Sequence, residues 1–380
     1  MTKSFILSFF IVLLGLCATS CSRDAFVPGN NSPLSDYVKT IPEGNVMHDS
    51  LWNIWCASVV EGYDGKFHLY YSRWPRKTHH ESWISHSEIA YAVADKPEGP
   101  YKFQSVALER CDSDRWDGTM THNPYIIKHK GKYYLYYIGT FGHKRSTEQI
   151  LKPYGNDWWM LRNTQRIGVA VSDNPAGPWK RLDFPLLSNS KDESAFDAML
   201  VSNPAVCCGR DGKFVMLYKE VSRNGTVRGG NVSFSVAFSD SPLGPFVKSG
   251  KRIFTSSDSD GFMLAEDPFI WYDKRSDMYF AVIRDVVRIF AGKDSGGLAL
   301  MCSRDAIDWK PAKYAKVIPQ NLRWSNGDTY DAGKKSFERP FIYFDKKGKP
   351  ALLFGTFSED KNGIRREHSF NGWIPFDINK

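Results

Sequence analysis

Hydrophobic and polar positions alternate over short stretches along most of the chain, as in EIAYAVA (88–94), RIGVAVS (166–172) and SFSVAFS (233–239). Apolar residues do not recur at the spacing of an amphipathic helix, so the pattern predicts short, half-buried strands. Five compact units stand out: 55–71 (WCASVVEGYDGKFHLYY), 121–139 (THNPYIIKHKGKYYLYYIG), 202–218 (SNPAVCCGRDGKFVMLY), 266–280 (EDPFIWYDKRSDMYF) and 338–354 (ERPFIYFDKKGKPALLF). Each reads as a strand, a polar turn and a second strand rich in Tyr, Phe and Leu, which is a hairpin signal. Proline cannot donate to a sheet ladder, so Pro124, Pro204, Pro268 and Pro340 are expected at the first residue of their strands.

A second element recurs downstream of the hairpins. VADKPEGPYKF starts at Val93, VSDNPAGPWKR at Val171 and FSDSPLGPFVK at Phe238, with CSRDAIDWKPA from Cys302 a looser version. Pro fixes φ and Gly supplies conformations that other residues avoid, so each is a tight turn, and the aromatic after it opens a further strand. One unit is therefore four antiparallel strands. The X-Pro positions recur every 64 to 80 residues, and two motifs repeat in the same order. The fold class predicted is all-β, a five-bladed β-propeller over 45–380.

With 380 residues, 42% of them hydrophobic and 14% aromatic, the chain can fill such a core. Residues 1–21 carry a charged start (MTK), an apolar stretch (FILSFFIVLLGLCA) and ATSC ending at Cys21. This resembles a bacterial lipoprotein signal, which implies export to the periplasm or outer membrane and lipid attachment at Cys21. Residues 22–44, rich in polar residues with Pro, Gly and Asn, are expected to be a flexible tether. Beyond the signal, Cys56, Cys111, Cys207, Cys208 and Cys302 are odd in number and show no metal-ligand spacing, so they are read as thiols. The net charge of +8 is not concentrated beyond RWPRKTHH (73–80). With no nucleic-acid motif in an exported chain, acidic glycans are the natural partner and nucleic acid is not expected.

The S-D-x-P-x-G-P-aromatic turns, joined to X-Pro hairpins ending in Tyr-Tyr, resemble the five-bladed propeller glycoside hydrolases of families 43, 32 and 117, over about residues 45–375. The resemblance implies a funnel lined by the first strand of each blade. It also implies two carboxylates, one protonating the leaving oxygen and the other acting as base or nucleophile. Family 43 members usually carry an Asp opening the first blade and a Glu on the third. Here those positions are Cys56-Ala57-Ser58 and Asn203-Pro204, so those roles do not transfer. Glu266, five residues before Trp271, is similar to the catalytic Glu that opens the fourth blade in family 117 relatives.

The carboxylates left as catalytic candidates are Glu266, Asp267, Glu220 and Glu338, with Asp49, Asp117 and Asp285 as other acids near strand ends. Glu266 is expected to be the general acid, and because Glu266 and Asp267 are adjacent on a strand only one should face the funnel fully. Trp55 and Trp74, from a cluster with Trp52, Trp83 and Trp116, are candidate sugar platforms, because aromatic faces stack on the apolar C–H face of a sugar. Trp158 and Trp159, in the long insertion 142–165, are candidates for the same role. His122, Asn123 and Asn203 are placed at the funnel mouth. Arg73, Lys219, Arg284 and Arg339 form a cationic set that suggests an anionic sugar such as a uronate. No cofactor is expected; a central divalent cation such as calcium is the one addition the site leaves open.

The function read from this is removal of a terminal sugar, neutral or anionic, from a plant or algal oligosaccharide or polysaccharide. Two other readings stay open at this point. One is a propeller-fold polysaccharide lyase using His122 or a Tyr as base and Arg339 to neutralise a uronate. The other is a non-catalytic glycan-binding propeller.

Overall fold

The computed structural model describes residues 27–378, apart from 112–113, 143–148, 257–262 and 362–363. The signal segment and Cys21 lie outside the described residues. Five sheets of four antiparallel strands form a ring of blades. Blade 1 is Trp52–Glu61, Phe67–Pro75, Glu88–Ala94 and Lys102–Leu108. Blade 2 is Met120–His129, Lys132–Thr140, Arg166–Ser172 and Lys180–Arg181. Blade 3 is Leu200–Cys208, Phe214–Val221, Val232–Ser239 and Val247–Ile253. Blade 4 is Ala265–Asp273, Met278–Asp285, Leu298–Ser303 and Lys310–Lys316. Blade 5 is Phe337–Phe344, Pro350–Lys361 and Ile364–Pro375, and its outer strand comes from the other end of the chain, Val46–Met47.

The prolines do not open their strands. Each lies inside the first strand, directly after a β-bulge where the pairing register shifts. A bulge leaves one residue unpaired, so the missing N–H of proline costs no ladder bond there. Blade 1, with Ala57 at the equivalent place, has the same shift between Trp55 and Ser58. The bulge residues are Cys56, Asn123, Asn203, Asp267 and Arg339, and all five have positive φ, between 48° and 58°. Only Asn and Asp tolerate that region readily among non-glycine residues. Cys56 and Arg339 are held there by their contacts.

The bulges set three layers around the axis. Two residues beyond each bulge the chain faces the axis again, and there Tyr125, Phe269 and Phe341 meet, with ring centroids 4.8 to 6.0 Å apart. Tyr125 donates its hydroxyl to the Ile270 carbonyl at 3.2 Å. These rings pack against one another beyond the bulge layer, with each pair contributing about 0.5–1.5 kcal/mol beyond its buried area. The bulge residues form the next layer, and the residues just before them form the mouth.

From residue 27 the expected tether is packed on the propeller. Leu34 and Ile41 are fully buried, and backbone bonds run from Lys39 to the Pro375 carbonyl and from Ile41 to that of Arg323. The free cysteines differ in setting, with Cys207 buried and its neighbour Cys208 exposed, as expected for adjacent residues on a strand. No described helix is long and apolar enough to cross a membrane.

Candidate functional site

The bulge residues hold one another in a polar ring at the axis. Asn123 donates Nδ2–H to Asn203 Oδ1 at 2.9 Å, and Asn203 donates Nδ2–H to Asp267 Oδ1 at 2.9 Å. Arg339 donates to the same Asp267 oxygen from Nη1 at 2.7 Å and to Cys56 Sγ from Nε at 3.3 Å. The Cys56 thiol reaches the Pro124 carbonyl at 3.6 Å and closes the circle. Burial pushes the Cys56 thiol above its ordinary pKa against the pull of Arg339, which keeps it a proton donor. The ring also ties the blades together, since Ser72 accepts from the Asn123 N–H and Thr356 from that of Cys56, each at 2.9 Å.

Above the ring opens a cavity of about 290 Å³. The residues just before the bulges, Trp55, His122, Ser202, Glu266 and Glu338, all line it. Asp267 lines it as well, because the bulge turns it toward the axis beside Glu266 where a regular strand would point the two apart. Glu266 receives Lys219 Nζ at 2.6 Å and Arg284 Nη1 at 2.7 Å. Arg284 stands directly across the hairpin from Glu266, and its Nη2 reaches Glu338 on the next blade at 3.2 Å. Two cations at hydrogen-bond distance favour a charged carboxylate. That differs from the desolvated proton donor expected for Glu266.

Glu266, Asp267 and Glu338 each offer an oxygen within 4.8 Å of the others, a spacing that a divalent cation could bridge. The same space already holds Lys219, Arg284 and Arg339, one cation for each carboxylate. A calcium ion bound there would compete with them for the carboxylates, and no step below uses one.

His122 donates or accepts at Nδ1 with Ser87 Oγ at 2.7 Å, and it stacks on Trp83 with centroids 4.9 Å apart. Burial, and then the charges of Arg339 and His80, hold its pKa well below the usual range, so it is a neutral imidazole. Trp55, Trp74, Asn123 and Asn203 line the cavity, and so do Trp158 and Trp159 of the insertion. These two sit on the helix Asn156–Arg162, pinned where Trp158 donates its indole N–H to the Glu81 carbonyl at 3.0 Å.

Other expected residues lie elsewhere. Glu220 follows Lys219 on a strand and faces the opposite way, against Ser233 Oγ at 2.8 Å. Arg73 pairs with Glu88 at 2.8 Å and packs between Trp52 and Phe103, outside the cavity. Asp117 is buried under Arg115, Arg181 and the Tyr137 hydroxyl, Asp49 caps the Leu51 and Trp52 amides, and Asp285 accepts three amides of its own loop. Arg339, which the lyase reading needs for a uronate, is committed to Asp267 and Cys56.

Trp83, from the tryptophan cluster of blade 1, lines the cavity, and sequence reasoning passed over His80, Glu81, Tyr154, Arg162 and Arg228, which line it too. They lie between the second and third strands of blades 1, 2 and 3, where the chain leaves the repeat pattern. The length of those connections was the only signal in the sequence. Burial raises the Glu81 carboxyl, but hydrogen bonds and charge from His80, with bonds from Tyr154 and Trp83, outweigh it, so its pKa falls below the usual value.

No protein-family model matches the chain, and no curated protein matches it. Solved structures do share the fold. Zg3597, a family 117 glycoside hydrolase of the marine bacterium Zobellia galactanivorans, superposes with a TM-score of 0.59 at 17% identity, over 90% of this chain and 91% of that one. BT0996, in a complex with RGII, gives 0.60 at 15% identity over 89% and 91%. A thermostable family 43 glycoside hydrolase gives 0.56 at 13% identity over 90% and 94%. At these identities the likeness establishes the architecture: this chain is a five-bladed propeller whose structural neighbours are glycoside hydrolases of families 117, 43 and 32.

Proposed function

We propose that the protein is a glycoside hydrolase that holds a terminal sugar in the funnel between its tryptophans and cleaves it with Glu266 and Glu338. The observation that carries this reading is the pair itself. The two carboxylates face each other from adjacent blades with oxygens within 4.8 Å, bridged by Arg284. Retaining glycosidases keep their carboxyl groups about 5–5.5 Å apart, whereas inverting ones need about 6.5–9.5 Å to admit a water. The spacing supports retention.

In this scheme Glu266, kept anionic by Lys219 and Arg284, attacks the anomeric carbon. Glu338, which shares Arg284 with Glu266, acts as the acid in its protonated form once a glycoside is bound, and gives that proton to the departing oxygen. Glu338 then takes a proton from the water that cleaves the glycosyl ester, which returns both groups to their starting states. Asp267 is left to the axial ring, where it orients Arg339.

The test is turnover of a glycan panel, with the first-formed anomer read by NMR. Retention is expected. Glu266→Ala should lose activity on every substrate. Glu338→Gln should lose about 10²–10⁴-fold on natural glycosides and far less on aryl glycosides, whose leaving group needs no proton. An inverted product, or equal losses on both substrate types for Glu338→Gln, would overturn the roles. Absorbance near 235 nm in the product would replace hydrolysis by elimination.

A further inference from the structure

At the bottom of the cavity the charges cancel, with Lys219, Arg284 and Arg339 each set against a carboxylate. Higher on the wall, Arg162 is not matched in this way by any described carboxylate. Arg162, the last residue of the insertion helix, lays its guanidinium on Trp159 at 5.2 Å, and Arg228 approaches the same ring at 5.9 Å. Arg162 Nη1 donates to the Arg228 carbonyl at 3.1 Å and, at the long distance of 3.4 Å, to Asn163 Oδ1. Neither acceptor is an anion. Among the described residues no carboxylate pairs with Arg162, and its Nε and Nη2 have no acceptor.

A desolvated cation without an anion is costly, and a second cation against the same ring adds repulsion. Burial brings the Arg162 pKa down to about 10, with Glu266 opposing the fall and Arg228 adding to it. The free edge of the guanidinium carries two N–H groups in one plane, which match the two oxygens of a carboxylate or sulfate. Trp159, which lines the cavity, offers aromatic surface beside it of the kind that packs on a sugar.

We propose that Arg162, with Arg228 beside it on Trp159, is a subsite for an anionic substituent, a carboxylate or a sulfate, on the sugar held in the cavity. This rests on the reading of the cavity as a sugar pocket. It places anion recognition on different residues from the cationic set that the sequence suggested, since Arg73 lies outside the cavity and Lys219, Arg284 and Arg339 are matched internally.

The experiment is ligand-observed NMR titration with matched methyl glycosides: glucuronide against glucoside, galacturonide against galactoside, mannuronide against mannoside, and galactoside 6-sulfate. At least one charged member should bind 10-fold or more tightly than its neutral counterpart, and which one wins tells carboxylate from sulfate. Arg162→Met should bring that affinity to the neutral level and leave the neutral ligand within twofold. Arg162→Lys should recover part of the preference. Equal binding across every pair would overturn the subsite, as would a preference that survives in an Arg162→Met/Arg228→Met double variant that melts normally. Because binding is read without turnover, an anion preference with no cleavage of any glycoside sinks the hydrolase reading alone. Cleavage of neutral glycosides without preference sinks the subsite alone.

Discussion

Glu220 shows what a single residue of strand register decides. Its neighbour Lys219 reaches the site, while Glu220 is buried on the far side of the strand beside Asp197. Burial, opposed by the Ser233 hydrogen bond and reinforced by Asp197, raises its pKa from 4.5 to about 7. An acid raised on folding stabilises the fold fully below its unfolded pKa and loses that contribution as pH rises through the folded value. Stability linked to this group should therefore fall between about pH 4.5 and pH 7. Glu220→Gln keeps the shape and an acceptor for Ser233 and cannot ionise. It should melt like wild type at pH 4.5 and be more stable at pH 8 by on the order of 2 kcal/mol. Thermal melts at the two pH values decide it, and a pH-independent difference would refute it. At this scale the sequence exposes residue types but not their partners. Asp267 reads as catalytic beside Glu266 until the ring assigns it to Asn203 and Arg339.

At the scale of elements, the repeated X-Pro hairpins and Gly-Pro turns were legible because turn chemistry and strand alternation are local. The bulge was not, because it depends on where the opposite strand pairs. Without it, Pro124 and its equivalents look like strand openings, and Glu266 and Asp267 look like opposite-facing neighbours. The bulge also yields a prediction. Asn203→Ala and Asn203→Gly both remove the side chain that joins Asn123 to Asp267, leaving buried polar groups unpaired at about 1–3 kcal/mol each. The φ of 48° is strained for Ala and free for Gly. Denaturant unfolding should therefore show both variants destabilised, with Ala the worse by about 1 kcal/mol. The reverse order would mean that the backbone there is not under strain.

For the whole molecule, blade count and order followed from the repeats, whereas the closure did not. Val46–Met47 is too short to announce itself as a strand, and the segment before it is polar and proline-containing, so it reads as a tether. Its docking is set by surface that exists only once blades 4 and 5 are built. The same reason hid Arg162 and Glu81, whose places come from connections that meet across blades. A chain starting at His48 would lose the burial of Leu34 and Ile41, the Asn45 bond to the Trp373 carbonyl at 3.1 Å and the outer strand of blade 5. Burial of each aliphatic side chain alone is worth about 2–5 kcal/mol. The shortened protein should melt at a clearly lower temperature, and an unchanged melting curve would show that the segment contributes nothing to stability.

Val46 pairs with Gly372 and Met47 with Asn371. The outer strand of blade 5 therefore precedes blade 1 in sequence, while its partner residues follow blade 4 by more than fifty residues. A nascent chain can complete blades 1 to 4 one after another, because each is drawn from consecutive sequence, but it cannot join the circle until the strand Ile364–Pro375 has been made. Contacts this distant in sequence form slowly. The axial ring takes one member from every blade, so the funnel floor is assembled in the same late step as the closure.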